Sequence, residues 1–275
     1  MTTQGSGRER RVTVRELLEM KRRGEKIVAL TAYDFLFGRL VDEAGVDLIL
    51  VGDSLGQVVF GYDSTLPVTV EDMIHHARAV RRGVRRALLA VDMPFLSFQI
   101  SLEETLRNAG RILKETGAEA VKLEGGDEER ARHVRALVRA GMPVLGHIGL
   151  TPQSVHALGG YRVQGREEPD AERLKAEAQR LADAGCFALV LELIPATLGG
   201  EISRAVSIPT IGIGAGPYVD GQILVLYDML GLNELFRPRF LRQFAELGGT
   251  ARTGLDKYVA AVRSGEYPGP EHSFE

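Results

Sequence analysis

A single cysteine, Cys186, in 275 residues rules out an intrachain disulfide and any metal site built from several thiolates. So sparse a use of thiols suits a reducing compartment, and the cytoplasm is the expected setting. Neither sign of charge dominates: 34 Lys and Arg stand against 37 Asp and Glu, a formal net charge of -3. Such a balance gives no field to attract nucleic acid or an anionic membrane, so the expected partner is a small molecule. No window is apolar for the length of a bilayer span, and the basic, polar opening MTTQGSGRERR lacks the apolar core of a secretory signal. Residues 1–11 read as a flexible tail. Beyond them no linker rich in Gly, Pro or Ser and no low-complexity tract divides the chain, so 12–275 reads as one domain. The histidines lack paired HxxxH spacing, which removes the usual zinc motif.

What the sequence does contain is an alternation. Short apolar runs with polar or glycine-bearing ends recur at 26–34, 47–53, 87–94, 120–125, 143–150, 188–193, 208–216 and 222–228. Amphipathic segments lie between them. About eight such units is the number that closes a (β/α)8 TIM barrel, and runs apolar on both faces are what a parallel sheet covered by helices requires. Helix signals support the reading: Thr13 precedes a short amphipathic run closed by Gly24, and Thr69 caps a helix stopped by Gly83. Ser101 and Glu104 form a capping box whose helix ends at Gly117. After Pro238, RFLRQFAELGG and GLDKYVAAVRSG have helical spacing and read as terminal helices. EYPGPEHSFE reads as an irregular tail.

A parallel barrel gathers its strand ends on one face, so residues distant in sequence converge there. Asp53 and Ser54 follow LILVG, Asp92 ends LLAVD, Lys122 and Glu124 lie in VKLEGG, and Glu192 lies in LVLELIP. Oxygen ligands from different strands suit a hard cation such as Mg²⁺, with Asp53 and Asp92 as the candidate direct ligands. Each acid taken alone also reads as a helix cap or a partner for a nearby Lys or Arg; four acids on four strand ends favour a site. Lys122 is equally placed to pair with Glu124. His147, in GHIGLTPQS, either contacts substrate or holds a loop through one hydrogen bond. His75 and His76 sit in a helical pattern and read as surface or packing residues. IGIGAG, at 211–216, serves either an anion or a tight turn, and it lacks the dinucleotide-binding spacing. Cys186 reads as a small buried residue.

Longer strings carry a resemblance. LVGDSLG, GYDSTLPVTVEDM, VDMPF, VKLEGG, GHIGLTPQSVHALGGYRVQGR, LVLELIP, IPTIGIGAG and EYPGPEHSF, in this order, closely resemble the ketopantoate hydroxymethyltransferase family from about residue 12 to the end. The resemblance implies a Mg²⁺-dependent barrel related to the phosphoenolpyruvate and pyruvate enzymes, assembled as a homodecamer. It implies transfer of a hydroxymethyl group from 5,10-methylenetetrahydrofolate to 3-methyl-2-oxobutanoate, giving ketopantoate for pantothenate and coenzyme A synthesis. By the same resemblance Asp53 and Asp92 bind the metal, and Glu124 does so directly or through water. Asp53, Ser54, Asp92 and Lys122 hold the α-keto acid, and Glu192 is the catalytic base. A metal-stabilised enolate is the expected intermediate. The loop that follows the second strand, at 56–70, is long enough to act as a lid. The fold alone would also accommodate lyase chemistry on another α-keto acid, or binding without turnover.

Overall fold

The apolar runs become eight parallel strands. The computed structural model describes residues 11–234 and 236–274, so the expected N-terminal tail, apart from Arg11, lies outside the described residues. The strands are β1 (Ile27–Thr31), β2 (Leu48–Val51), β3 (Leu88–Asp92), β4 (Ala120–Glu124), β5 (Val144–Gly149), β6 (Ala188–Glu192), β7 (Thr210–Ile213) and β8 (Gly221–Leu224). β1 pairs with β2 and also with β8, which closes the barrel in sequence order. Closure leaves no exposed strand edge. The last strand is shorter than its sequence pattern suggests: β8 ends at Leu224, and a short helix begins at Leu226.

Residues two apart along a strand share a face. Leu88 and Ala90 of β3, Ala120 of β4, Leu145 of β5, and Ala188 and Val190 of β6 meet in one buried apolar cluster. Continuing each inward series toward the strand end gives Asp92, then Lys122 and Glu124, then His147, then Glu192. The inward row therefore changes from apolar to charged at the C-terminal ends of four adjacent strands. Helix α1 (Val14–Arg23) adds Leu17 and Met20 to the apolar cluster, with Thr13 Oγ1 accepting from the Glu16 N–H at 3.3 Å.

The connecting helices are α2 (Phe35–Glu43), α3 (Leu55–Val58), α4 (Val70–Gly83), α5 (Leu102–Thr116), α6 (Glu128–Arg139), α7 (Glu168–Ala184) and α8 (Ala196–Ala205). Their starts follow local chemistry. Thr69 and Asp72 make a reciprocal capping box at α4, and Met73, Ile74, Ala77 and Val80 form its buried stripe. At α5, Ser101 Oγ accepts from the Glu104 N–H at 3.1 Å, which is the first half of the box expected there. Left-handed Gly117 ends that helix. Apolar stripes of this kind contribute about 1.5–3 kcal/mol for each large side chain fully buried.

The chain divides into two compact units, one ending at Val225 and the other beginning at Leu226. The second contains α9 (Leu226–Met229) and α10 (Leu247–Ser264). The helix expected over RFLRQFAELGG does not form until Leu247. Its backbone is committed elsewhere: the Phe244 N–H donates to Met229 O and the Leu247 N–H to Leu230 O, at 2.7 and 3.0 Å. Pro238, whose carbonyl accepts from the Leu241 N–H, sets a turn instead. GLDKYVAAVRSG is helical as its spacing predicts, and the terminal tail contains a 3-10 turn, Pro270–His272. Among the described residues no helix is long and apolar enough to cross a membrane.

Candidate active site

Parallel pairing sets the charged strand ends side by side. Asp92 is in register with Lys122, Glu124 with His147, and Gly149 with Glu192. Lys122 Nζ lies 2.5 Å from Asp92 Oδ1, so the lysine pairs with Asp92 rather than with Glu124, the partner the sequence also allowed. Asp92 Oδ2 accepts from the Asp53 N–H at 3.0 Å, which ties the segment after β2 to β3. Next to Asp53, Ser54 Oγ is 2.8 Å from the Tyr33 hydroxyl. His76 donates from Nδ1 to the Tyr33 carbonyl at 2.6 Å, so this helical histidine packs and positions, as expected.

His147 stands between two carboxylates. Its Nδ1 is 3.4 Å from Glu124 Oε1 and its Nε2 is 3.2 Å from Glu192 Oε2. Neither contact has hydrogen-bond alignment, so the attraction is ionic, and no loop is held by this ring. Glu192 is placed by a tight junction. Gly149 has φ of +96°, and a Cβ there would lie 2.2 Å from the Glu192 carbonyl oxygen, so only glycine lets β5 end beside β6. Leu193, directly after Glu192, is itself left-handed at φ 46° and turns the chain off the strand.

Asp53, Asp92, Lys122, Glu124 and His147 are all buried, between 2 % and 6 % exposed, and their protonation reflects mutual compensation. Burial raises the Asp53 carboxyl well above its usual range, and the neighbouring Asp92 and Glu124 add to this. For Lys122 burial favours loss of the proton, but Asp92, Glu124 and Asp53 outweigh it and hold the ammonium more tightly than usual. His147 is likewise opposed by burial and by Lys122, yet Glu124 and Glu192 push it up to about 9, so it is an imidazolium at neutral pH. Glu124 is shifted downward: burial opposes its charge, while His147, Lys122 and the Gln153 N–H more than offset it.

Four carboxylates, Asp53, Asp92, Glu124 and Glu192, thus face two cations. The balance left over is negative. Among the described residues no three His, Cys, Asp or Glu side chains converge as a ready-made metal cage. Mg²⁺ does not need one, because it keeps several waters and takes one or two protein carboxylates. Glu124 Oε1 is buried without a hydrogen-bond partner, and the available donors are hard oxygens. The residues therefore fit a hard divalent cation.

Sequence reasoning passed over Gln153 although it lies in GLTPQS. Its backbone N–H donates to Glu124 Oε2 at 3.0 Å, and its side-chain Nε2 donates to Asp53 Oδ2 at 2.9 Å. Pro152 opening a turn directly after a strand was the available signal. The loop read as a lid, 56–70, starts as α3, and Gln57 Nε2 reaches the Tyr161 hydroxyl at 3.5 Å. Asp63 and Ser64 of this loop share a cavity of about 470 Å³ with Val155, His156 and Tyr161. Cys186 is buried, and burial pushes its thiol up to about 12. IGIGAG forms the end of β7 and the turn that follows, with Gly214 and Gly216 at positive φ.

The barrel resembles solved structures at low sequence identity. A phosphonopyruvate hydrolase in complex with oxalate and Mg²⁺ aligns at a TM-score of 0.62 and 13 % identity, covering 95 % of this chain and 93 % of that one. A 2,3-dimethylmalate lyase, a member of the PEP mutase/isocitrate lyase superfamily, aligns at 0.57 and 16 %, covering 94 % and 92 %. These likenesses concern the fold alone. Sequence relatives are much nearer. The 3-methyl-2-oxobutanoate hydroxymethyltransferase of Syntrophotalea carbinolica is 54 % identical over 97 % of this chain and 99 % of its own length. That of Moorella thermoacetica is 55 % identical over 96 % and 98 %, and that of Syntrophus aciditrophicus 50 % identical over the full length of both. Residues 11–270 match the profile of ketopantoate hydroxymethyltransferase, and the chain belongs to that family.

Proposed function

We propose that this chain transfers a hydroxymethyl group from 5,10-methylenetetrahydrofolate to 3-methyl-2-oxobutanoate, forming 2-dehydropantoate for pantothenate and coenzyme A synthesis, with Mg²⁺ as its metal. The observation that carries the reading is the cluster in which buried Asp53, Asp92, Lys122, Glu124 and His147 meet the partly buried Glu192 at one end of the barrel. An α-keto acid brings negative charge and two oxygens on adjacent carbons, and the cluster contains the hard donors and cations to receive them. Asp53 and Asp92 would hold Mg²⁺, with Glu124 direct or through water. Bound there, Mg²⁺ supplies positive charge for the oxygens on which charge gathers when C3 loses its proton.

Glu192 is the base in this reading. It takes the C3 proton, and the pair of electrons left behind becomes the enolate. His147, held as an imidazolium, places a positive charge 3.2 Å from Glu192 Oε2. Lys122 uses one of its three N–H bonds on Asp92 and has others for the substrate carboxylate. Ser54, held by Tyr33, supplies a hydroxyl for the same end of the substrate. The enolate carbon then bonds to the one-carbon unit as its bonds to folate nitrogen break. Water provides the hydroxyl, its other proton and the one taken by Glu192 pass to the two folate nitrogens, and tetrahydrofolate leaves. The segments around Asp63 and Tyr161 would limit water at the mouth.

The test is exchange of the C3 proton of 3-methyl-2-oxobutanoate in deuterated buffer, followed by NMR with and without Mg²⁺. Exchange that needs the metal and falls at least about 100-fold in Glu192→Gln is expected. Undiminished exchange in that variant would remove Glu192 from the role. Product formation without methylenetetrahydrofolate would remove the folate step.

A further inference from the structure

Gln153, an uncharged residue, hydrogen-bonds two acids of the cluster and two groups outside it. It is 5 % exposed and lies in the 3-10 turn Pro152–Ser154 that follows β5. Both amide hydrogens of Nε2 are used, one on Asp53 Oδ2 and one on the Met93 carbonyl, each at 2.9 Å. Oε1 accepts from Gln99 Nε2 at 3.0 Å. The backbone N–H donates to Glu124 Oε2 at 3.0 Å.

The direction of the amide is fixed by chemistry. A main-chain carbonyl only accepts, so the end facing Met93 O must be the NH₂ group, and Asp53 Oδ2 therefore meets a donor. Gln99 presents a donor to the opposite end, while its own Oε1 accepts from the Phe98 N–H at 3.3 Å. One residue thus binds a single oxygen of each of two acids, one in the segment after β2 and one at the end of β4. Gln153 leaves the other oxygen of each unbonded, and for Glu124 that oxygen is buried without a hydrogen-bond partner, its ionic neighbour His147 Nδ1 lying 3.4 Å away.

We propose that Gln153, oriented by Gln99, is a positioning residue that fixes the Asp53 and Glu124 carboxylates so that Oδ1 of one and Oε1 of the other are presented to a divalent cation. The inference rests on the metal reading above and adds to it the group that prepares the site. Loss of a hydrogen-bonding residue behind a metal ligand lowers affinity by about 10- to 100-fold.

Mn²⁺ titrated into the metal-free protein, with free ion followed by electron paramagnetic resonance, reads this directly. Gln153→Met keeps the backbone N–H and the side-chain length but removes the amide. Its Mn²⁺ affinity is expected to fall about 10- to 100-fold. Gln99→Met, altered at a half-buried position outside the cluster, is expected to weaken Mn²⁺ in the same direction by a smaller factor, and it carries the test if Gln153→Met does not fold. Parent-like Mn²⁺ affinity in folded Gln153→Met, or in Gln99→Met where Gln153→Met does not fold, overturns the proposal and leaves the metal reading standing. A parent protein that binds no Mn²⁺ overturns both.

Discussion

Replacing Lys122 by Met removes the cation that lies between three buried acids. The side chain is 5 % exposed, and its ammonium is 2.5 Å from Asp92 Oδ1, so methionine preserves most of the volume while deleting the charge. Breaking a buried pair from one side costs about 3–5 kcal/mol, because the partner left behind is still charged and still buried. For a chain of this size that corresponds to a melting temperature lower by about 6–20 °C. The loss must depend on pH in a particular sense. Burial and neighbouring acids already hold Asp53 well above its ordinary value of 3.8, and without Lys122 this shift grows. A carboxyl whose folded-state pKa is raised makes the folded protein bind more protons than the unfolded one, so its stabilising contribution is complete below 3.8 and is lost as pH rises through the raised value. The deficit of the variant should therefore be largest at neutral pH and shrink on acidification. Urea and thermal unfolding of the metal-free parent and variant, at about pH 7.5 and about pH 5, measure it. Adding Asp92→Asn to the variant should restore part of the loss, since the stranded charge is then gone. Melting within about 2 °C of the parent at neutral pH, or a deficit equal at both pH values, would refute this account of the cluster.

Two further outcomes are expected. Gly149→Ala places a Cβ against the Glu192 carbonyl at a positive φ, so it should cost about 1–3 kcal/mol in backbone strain and, by displacing Glu192, reduce substrate proton exchange about 100-fold; parent-like melting and exchange would count against the junction as described. Cys186, buried with its thiol pushed up to about 12, should resist a disulfide reagent at pH near 8 while the protein is folded and react once urea unfolds it; rapid labelling of the folded protein would contradict its burial.

The barrel was legible because its strands announce themselves twice, by apolar runs and by the polar or glycine-bearing ends that stop them. Asp53, Asp92, Lys122, Glu124 and Glu192 could be found for the same reason: a charge at the end of an apolar strand falls, in a parallel barrel, on the face where strand ends converge. Pairing was less legible. Nothing in VKLEGG distinguishes Asp92 from Glu124 as the partner of Lys122, because the choice is made by register with β3, which lies outside that string. His147 could be located at its strand end but not between two acids, one of them on β6. Gln153 carries no charge and no spacing rule, and its importance lies in four hydrogen bonds to residues far away in sequence or in other segments. The helix expected at 239–246 failed for a related reason. Its apolar spacing was real, but its backbone N–H groups found carbonyls near the end of α9 before they could find those one turn back.

Register explains why barrel and site come as one object. Side chains in step on parallel neighbours project to the same face, and sliding one strand by a single residue would send its whole inward row outward. In this barrel such a slip at β4 would carry Lys122 and Glu124 away from the interior, leaving Asp92 without its cation and His147 with Glu192 alone. The apolar residues below them, Ala120 on β4 and Leu145 on β5, would be misplaced by the same step. Hydrophobic packing and charge compensation therefore select one register. The surplus of carboxyl groups over cations that this register assembles is a property of closure itself: no single strand contributes more than two of the six titratable groups, and the cluster forms only when β3, β4, β5, β6 and the segment after β2 are side by side.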